Sequence, residues 1–292
     1  MQTVISPRLT RASLAPVIAA TLALVGIPLT VALAFFWAPT SSIDLAGGAT
    51  QFDFAQKIFY VHVPIAFAAY LAFFVGAWNG LLQLLRGDSA YDTRSYVGIH
   101  VGVVFGTLVL LTGSIWARAA WGVWWNWGDR QLLVFLILYL YYAAYFMLRF
   151  SLEPGRQRMQ VSSVYAVLGV VLVPLSFVAI RIASTLIHPI VITGRGLEMT
   201  PAMGVTFVIG IVAMLALATF MMQLETTVKL RAARAATLLR GDVPTSVAGS
   251  LTVAGELAGE AIPTAASPAV RAASKRNDVL VVKRDAKDSA HA

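Results

Sequence analysis

A chain of 292 residues that is 58% hydrophobic and 12% charged is too apolar for a single soluble domain, and it has the makeup of a membrane protein. Its net charge of +8 is spread between apolar runs and along a terminal stretch, which fits membrane topology and speaks against nucleic acid as a partner. With no cysteine, disulfides, thiolate metal sites and CxxC redox chemistry are excluded.

Six apolar segments follow one another at roughly 14–37, 58–85, 96–115, 131–150, 161–181 and 201–224, each near the ~20 residues that a bilayer core requires of a helix. Arg8 and Arg11 precede the first, and Ala32-Leu33-Ala34 resembles a signal-peptide cleavage site. The run is longer than the ~7–15 residues of a signal core, so it is read as an uncleaved span. In the second and fifth segments Pro64 and Pro174 interrupt the helix, as proline does where a bundle tolerates kinks. The third carries Gly98, Gly102 and Gly106 at four-residue spacing, a stripe that lets a neighbouring backbone come close and points to packing, not chemistry. Beyond the sixth, Glu225 to Arg240 continues as a polar helical pattern that Gly241 can end.

The connections alternate in charge. With the N-terminus inside, the inner positions are Arg8, Arg11, Arg86, Arg94, Arg149, Arg156, Arg158, Lys229, Arg231, Arg234 and Arg240, eleven in all. The outer ones are Lys57, Arg118, Arg130, Arg181 and Arg195, which is five. The excess predicts an N-in, C-in topology. The expected fold is therefore an all-α membrane protein with six transmembrane helices and a Trp-rich outer-face loop between helices 3 and 4. Residues 1–240 form the membrane domain, and 241–292 read as a disordered cytoplasmic tail.

That loop, from Trp116 to Arg130, reads WARAAWGVWWNWGDR and holds five of the seven tryptophans: Trp116, Trp121, Trp124, Trp125 and Trp127. Tryptophan favours the headgroup level of a bilayer, so an aromatic belt is the plain reading. A belt decorates every helix end, however, and elsewhere only Trp37 and Trp78 occur. The concentration in one loop fits a flat apolar platform with charged edges, suited to a large planar ligand. If the segment is helical, Trp121, Trp124 and Trp125 share one face at i, i+3 and i+4. Asp129 directly precedes span four, where it can cap the helix or shape the site.

Of the four histidines, His291 lies in the tail. His62, in KIFYVHVP, is about one turn inside the outer end of span two, and His188, in TLIHP, is in the outer loop between spans five and six. His100 enters span three from the inner side, ~20–25 Å from the outer surface at ~1.5 Å per residue. Topology thus pairs His62 with His188. Two neutral imidazoles beside an indole platform suit haem iron, closing a six-coordinate site. Without CxxCH the haem is non-covalent, haem b. Arg118, Arg130, Arg181 and Arg195 are on the correct side for its propionates, and each can instead anchor a lipid headgroup.

At these residues the chain resembles a known family. WGVWWNWGD is similar to the tryptophan-rich signature of the cytochrome c assembly proteins. Six spans, one histidine in VHVP and one before the last span resemble the haem exporter protein C type within that group. The resemblance covers about residues 10–225. It implies that His62 and His188 are axial ligands and that Trp121, Trp124, Trp125 and Trp127 cradle the haem edge, with haem held at the periplasmic face of a bacterial inner membrane. It further implies delivery to a small membrane-anchored haem chaperone, alongside an ABC-type ATPase, a second membrane subunit and a small single-span subunit. One departure stands out: the family's acid directly follows the last Trp, whereas here Gly128 precedes Asp129.

The leading expectation is a non-enzymatic carrier that binds and transfers haem during cytochrome c maturation. One alternative is a haem lyase that attaches haem to apocytochrome c, but such relatives carry more spans and further histidines. Another is a membrane b-type cytochrome or quinone oxidoreductase, but His100 has no histidine at its depth to share a haem. No acidic residue lies deep in the segments to couple ions, which disfavours a solute transporter.

Overall fold

The computed structural model describes residues 14–40, 42–44, 50–52, 54–182, 192–193, 196–197 and 199–239. The tail assigned to 241–292, together with His188, Arg195 and the side chain of Arg181, lies outside the described residues. Contacts divide the chain into Met1–Arg231 and Ala232–Ala292, and everything that follows concerns the first of these.

Among the described residues, seven α-helices account for six candidate spans. They are α1 (Leu14–Phe36), α2 (Phe59–Arg86), α3 (Ser89–Trp121), α4 (Arg130–Phe150), α5 (Arg156–Gly169), α6 (Leu172–Ile182) and α7 (Pro201–Leu239). Six helical stretches are long and apolar enough to cross a membrane, and α5 and α6 together supply the fifth. The fifth span is broken at Val170–Val171, three residues before Pro174, whose ring occupies the first turn of α6 where its missing N–H costs no helical bond. Large apolar side chains such as Leu24, Phe36 and Met147 are exposed, as expected of surfaces that face lipid.

Helix α3 runs further at both ends than the apolar core of span three predicts, and α7 continues as one helix through the polar stretch after residue 224. Arg86 and Ser89 are separated by only two residues. Gly87 takes a left-handed conformation (φ 69°) that closes α2, and the Asp88 carboxylate accepts from the Ala90 N–H at 2.8 Å to open α3. Two short antiparallel pairs lie between spans: β1 (Ser42–Asp44) with β2 (Thr50–Phe52), and β3 (Ile192–Thr193) with β4 (Gly196–Leu197). They sit in connections and leave the bundle all-helical.

The glycine stripe does what its spacing predicts. A Cβ on Gly98 would stand 2.5 Å from the Gly76 nitrogen, and one on Gly76 would stand 2.9 Å from the Ile99 nitrogen. Helices α2 and α3 are thus in backbone contact. Gly102 receives the Phe73 ring, and Gly106 lies 3.0 Å from Tyr139 on the same measure. Phe73 in turn stacks on Tyr142 at 4.3 Å. One buried cluster runs through Ala69, Phe73, Val101, Phe105, Leu138 and Met214. A second, at the end where α2 begins, joins Ala34, Ala38, Phe59, Tyr60 and Phe207, with Trp116 packed against it.

Opposite the tryptophan loop the bundle carries a polar cluster. Arg149 donates both terminal nitrogens to Asp92, at 2.8 and 2.7 Å, in a buried bidentate pair. His100 donates from Nδ1 to Glu225 at 2.8 Å, and Lys229 stands 3.5 Å from the same carboxylate. Tyr96 lies among them, stacked on His100 with the Arg149 and Lys229 cations against its ring. Asp92 and Glu225 fell just outside the apolar segments in the sequence; because the helices extend past those segments, both acids are helical and paired.

Candidate functional site

The candidate site is built on the pairing of α2 with α3. His62 stands in the first turns of α2, and its Nδ1 is 2.8 Å from the Thr112 hydroxyl on α3. The tautomer follows from where the hydroxyl hydrogen goes. Thr112 donates to the Leu108 carbonyl at 2.7 Å, as threonine does one helical turn back. When that bond is made, the oxygen accepts from His62 Nδ1–H, and in that tautomer the lone pair lies on Nε2, the nitrogen a metal takes.

Two neighbours fix the plane of the ring. Gly113 lies beneath it: a Cβ there would be 3.0 Å from His62 Cε1. Trp116 meets it edge to face, with ring centroids 5.6 Å apart. Trp121 then stacks on Trp116 at 6.1 Å and 29°. His62, Trp116 and Trp121 thus form one continuous aromatic surface.

Past Trp121 the chain departs from the helical arrangement the spacing allows. Helix α3 ends there, closed by Gly122 at φ 77° with its N–H on the Arg118 carbonyl at 3.2 Å. Trp121, Trp124 and Trp125 therefore do not share a helical face; Trp124, Trp125 and Trp127 belong to a loop. Glycine is the residue that ends a helix in this way, and it overrides the i, i+4 pattern. The loop keeps an aromatic character of its own. Trp124 and Trp127 are 61% and 70% exposed, and Trp127 packs edge-on against Trp125 at 5.9 Å. The Arg118 guanidinium donates to the Gly122 carbonyl and lies 6.0 Å from the Trp124 ring, which ties the loop to the end of α3.

The extra glycine is accommodated in a turn. The Asn126 side chain accepts from Gly128 N–H at 2.9 Å, and its main-chain carbonyl accepts from Asp129 N–H at 3.1 Å. This delivers Asp129, 1% exposed, to the N-cap of α4, where its carboxylate accepts from Leu132 N–H at 3.1 Å. Arg130 is the first residue of α4 and is exposed.

Three contributors escape a reading of the sequence. Thr112 and Gly113 lie inside an apolar run, where hydroxyl and glycine spacing signal only packing. Lys57 counts in the sequence only as an outer-face charge but is 5% exposed, with its ammonium donating to the Ala38 carbonyl at 2.6 Å. It pins the end of α1 to the turn that leads into α2.

Trp125 has a fully buried indole nitrogen with no hydrogen-bond partner among the described residues. A buried donor left in that state is costly unless an acceptor completes it. A carboxylate-bearing planar ligand fits: flat indole surfaces, an imidazole with its lone pair on Nε2, and an indole N–H that lacks an acceptor. Residue types and positions thus agree with a haem carrying propionates.

Comparison with known proteins agrees. A "Putative cytochrome c biosynthesis ccmC-like mitochondrial protein" of Arabidopsis thaliana is 30% identical over 152 residues, 51% of this chain and 57% of that protein. "Heme exporter protein C" of Paracoccus denitrificans is 30% identical over 165 residues, 56% of this chain and 64% of that protein. The chain thus matches less than two thirds of the length of either relative. "Cytochrome c biogenesis protein CcsA" of Prochlorococcus marinus shares 52% identity over 60 residues, 20% of this chain and 19% of that protein. The family described as "Heme exporter protein C" matches residues 4–239. With that match covering the whole helical bundle, the chain belongs to the Heme exporter protein C (CcmC) family.

Proposed function

We propose that this protein is a non-catalytic carrier that holds haem b non-covalently at the tryptophan-loop end and passes it on during cytochrome c maturation. The observation that supports the reading is the chain His62–Thr112–Leu108, which favours the Nδ1–H tautomer and suits His62 to ligation through Nε2. His188 is the second axial ligand; in the sequence it stands between Ile182, the last residue of α6, and Ile192, the first of β3. When bound, haem supplies the iron and the two carboxylates that the site recognises.

The residues divide the work. His62 and His188 ligate, while Trp116 and Trp121 form the wall beside His62. Trp124, Trp125 and Trp127 cover the porphyrin edge, and Trp125 donates to a propionate. Arg118, Arg130, Arg181 and Arg195 supply positive charge for the same carboxylates. Asp129 fixes the loop by capping α4. The site faces the periplasm of a bacterial inner membrane, and the recipient is a membrane-anchored haem chaperone. An ABC-type ATPase, a second membrane subunit and a small single-span subunit complete the assembly. His100 supports a single haem site, because it is committed to Glu225 at the opposite end.

The test is the optical spectrum of the purified full-length protein. A low-spin bis-imidazole spectrum that extracts as haem b, and that is lost when His62 and His188 are both replaced by alanine, is the expected result. An unchanged spectrum in that double variant would overturn the ligand assignment.

A further inference from the structure

A groove with a cavity volume of about 600 Å³ opens along α2 and α7, far from the tryptophan loop, within the size range of ordinary ligand sites. Leu71, Val75 and Phe220 form its apolar walls, and Asn79, Gln223, Arg94 and three threonines of α7 are its polar residues. From Leu71 to Asn79 the groove follows α2 away from His62 for ~12 Å at ~1.5 Å per residue. Arg94 stands in the second turn of α3, at the end opposite Trp116. The groove is therefore apolar along its length and cationic at one end.

Arg86 and Arg94 each lie against the ring of Tyr91, at 5.3 and 5.4 Å from its centre. Among the described residues neither makes an ion pair. A guanidinium at the end of an apolar groove, with no carboxylate on it among the described residues, suits an anion. Gln223 adds a second observation: its side-chain oxygen is buried and has no hydrogen-bond partner among the described residues. That acceptor calls for a hydroxyl or N–H donor on the same ligand.

We propose that this groove is a site for one anionic phospholipid of the glycerol-headed class, with an acyl chain against Leu71, Val75 and Phe220 and its phosphate on Arg94. A headgroup hydroxyl donates to Gln223 Oε1. The site is separate from the haem residues, being reached along a different stretch of α2. Binding there fastens α7 to α2, so the lipid acts as a structural ligand of the bundle.

Native mass spectrometry of the full chain, released from nanodiscs of equal palmitoyl-oleoyl phosphatidylglycerol and phosphatidylcholine, tests the proposal. The wild type retains one phosphatidylglycerol in preference to phosphatidylcholine. Arg94→Gln lowers that preference about fivefold, the effect of one cation at a membrane surface, and Arg94→Lys keeps most of it. Thr219→Trp, which fills the groove, loses retention of both lipids. Haem content stays at the wild-type level in all three variants. Retention in the bilayer ratio, or enrichment that survives Arg94→Gln, overturns the proposal. So does a fall in haem content on Thr219→Trp with helicity intact, which would make the groove a haem site.

Discussion

Gly113 of α3 lies directly under the ring of His62 of α2, so close that the smallest side chain would stand 3.0 Å from Cε1. The position of this imidazole is therefore set by a hydrogen atom on the neighbouring helix. Gly113→Ala should displace the ring by a few tenths of an ångström while favouring α3 itself, since alanine is ~1 kcal/mol better than glycine within a helix. The expected outcome is a weakened Soret band with thermal stability retained or raised. A variant with wild-type haem content and spectrum would show that the ring is not held from this side.

Thr112 acts on the tautomer. Thr112→Val keeps the shape but removes the acceptor from Nδ1–H, and outer-sphere changes of this kind cost ~10–100-fold in metal affinity. Thr112→Ser, which can donate to Leu108 and accept from His62 in the same way, should restore most of it. Haem titration of the two apoproteins separates the outcomes: equal affinity in the valine and serine variants would remove Thr112 from the argument.

At the other end of the bundle, Arg149→Met leaves Asp92 as an uncompensated buried charge, and removing one partner of such a pair costs about 3–5 kcal/mol. The double replacement Arg149→Met with Asp92→Leu should be less damaging than the single one. Thermal unfolding in detergent measures both. Additive losses would mean that the bidentate geometry contributes nothing specific.

Asp129 separates capping from charge. Asp129→Asn retains an oxygen for Leu132 N–H and should keep both fold and haem, whereas Asp129→Ala should cost about 1 kcal/mol and loosen the loop. Loss of haem from the asparagine variant at unchanged stability would assign the carboxylate a role beyond the cap.

Gly98→Ala tests the contact between α2 and α3. Its Cβ would meet Gly76 backbone at 2.5 Å, where no rotamer can relieve the clash, so a loss of about 1–3 kcal/mol is expected, as for an overpacked core. Near-neutral behaviour in thermal unfolding would show that the two helices can separate at no cost.

The spans were legible because each is an apolar run bounded by charge, and the glycine stripe because four-residue spacing has one structural use. The loop was legible as composition but not as shape. Its five tryptophans announce a surface, yet Gly122 ends α3 after the second, and only the backbone shows that the others follow a turn. Asp129 kept its cap despite Gly128, because Asn126 folds the extra residue into a turn. Thr112 and Gly113 could not be found from the sequence, since their role exists only once α2 lies against them. The same holds for Glu225, which finds His100 across 125 positions.

Pro64 has no N–H to give the carbonyl of Tyr60 one turn earlier, and against that carbonyl lies Gly210 of α7, where a Cβ would sit 2.9 Å away, with Thr30 of α1 also in contact. One rung between the opening turn of α2 and the rest of its rod is therefore missing. His62 rides on that turn, between Tyr60 and Pro64. Thr112, Gly113 and Trp116, which touch its imidazole, stand on α3, so a sideways shift of α3 would be felt at this ring before it was felt further along α2.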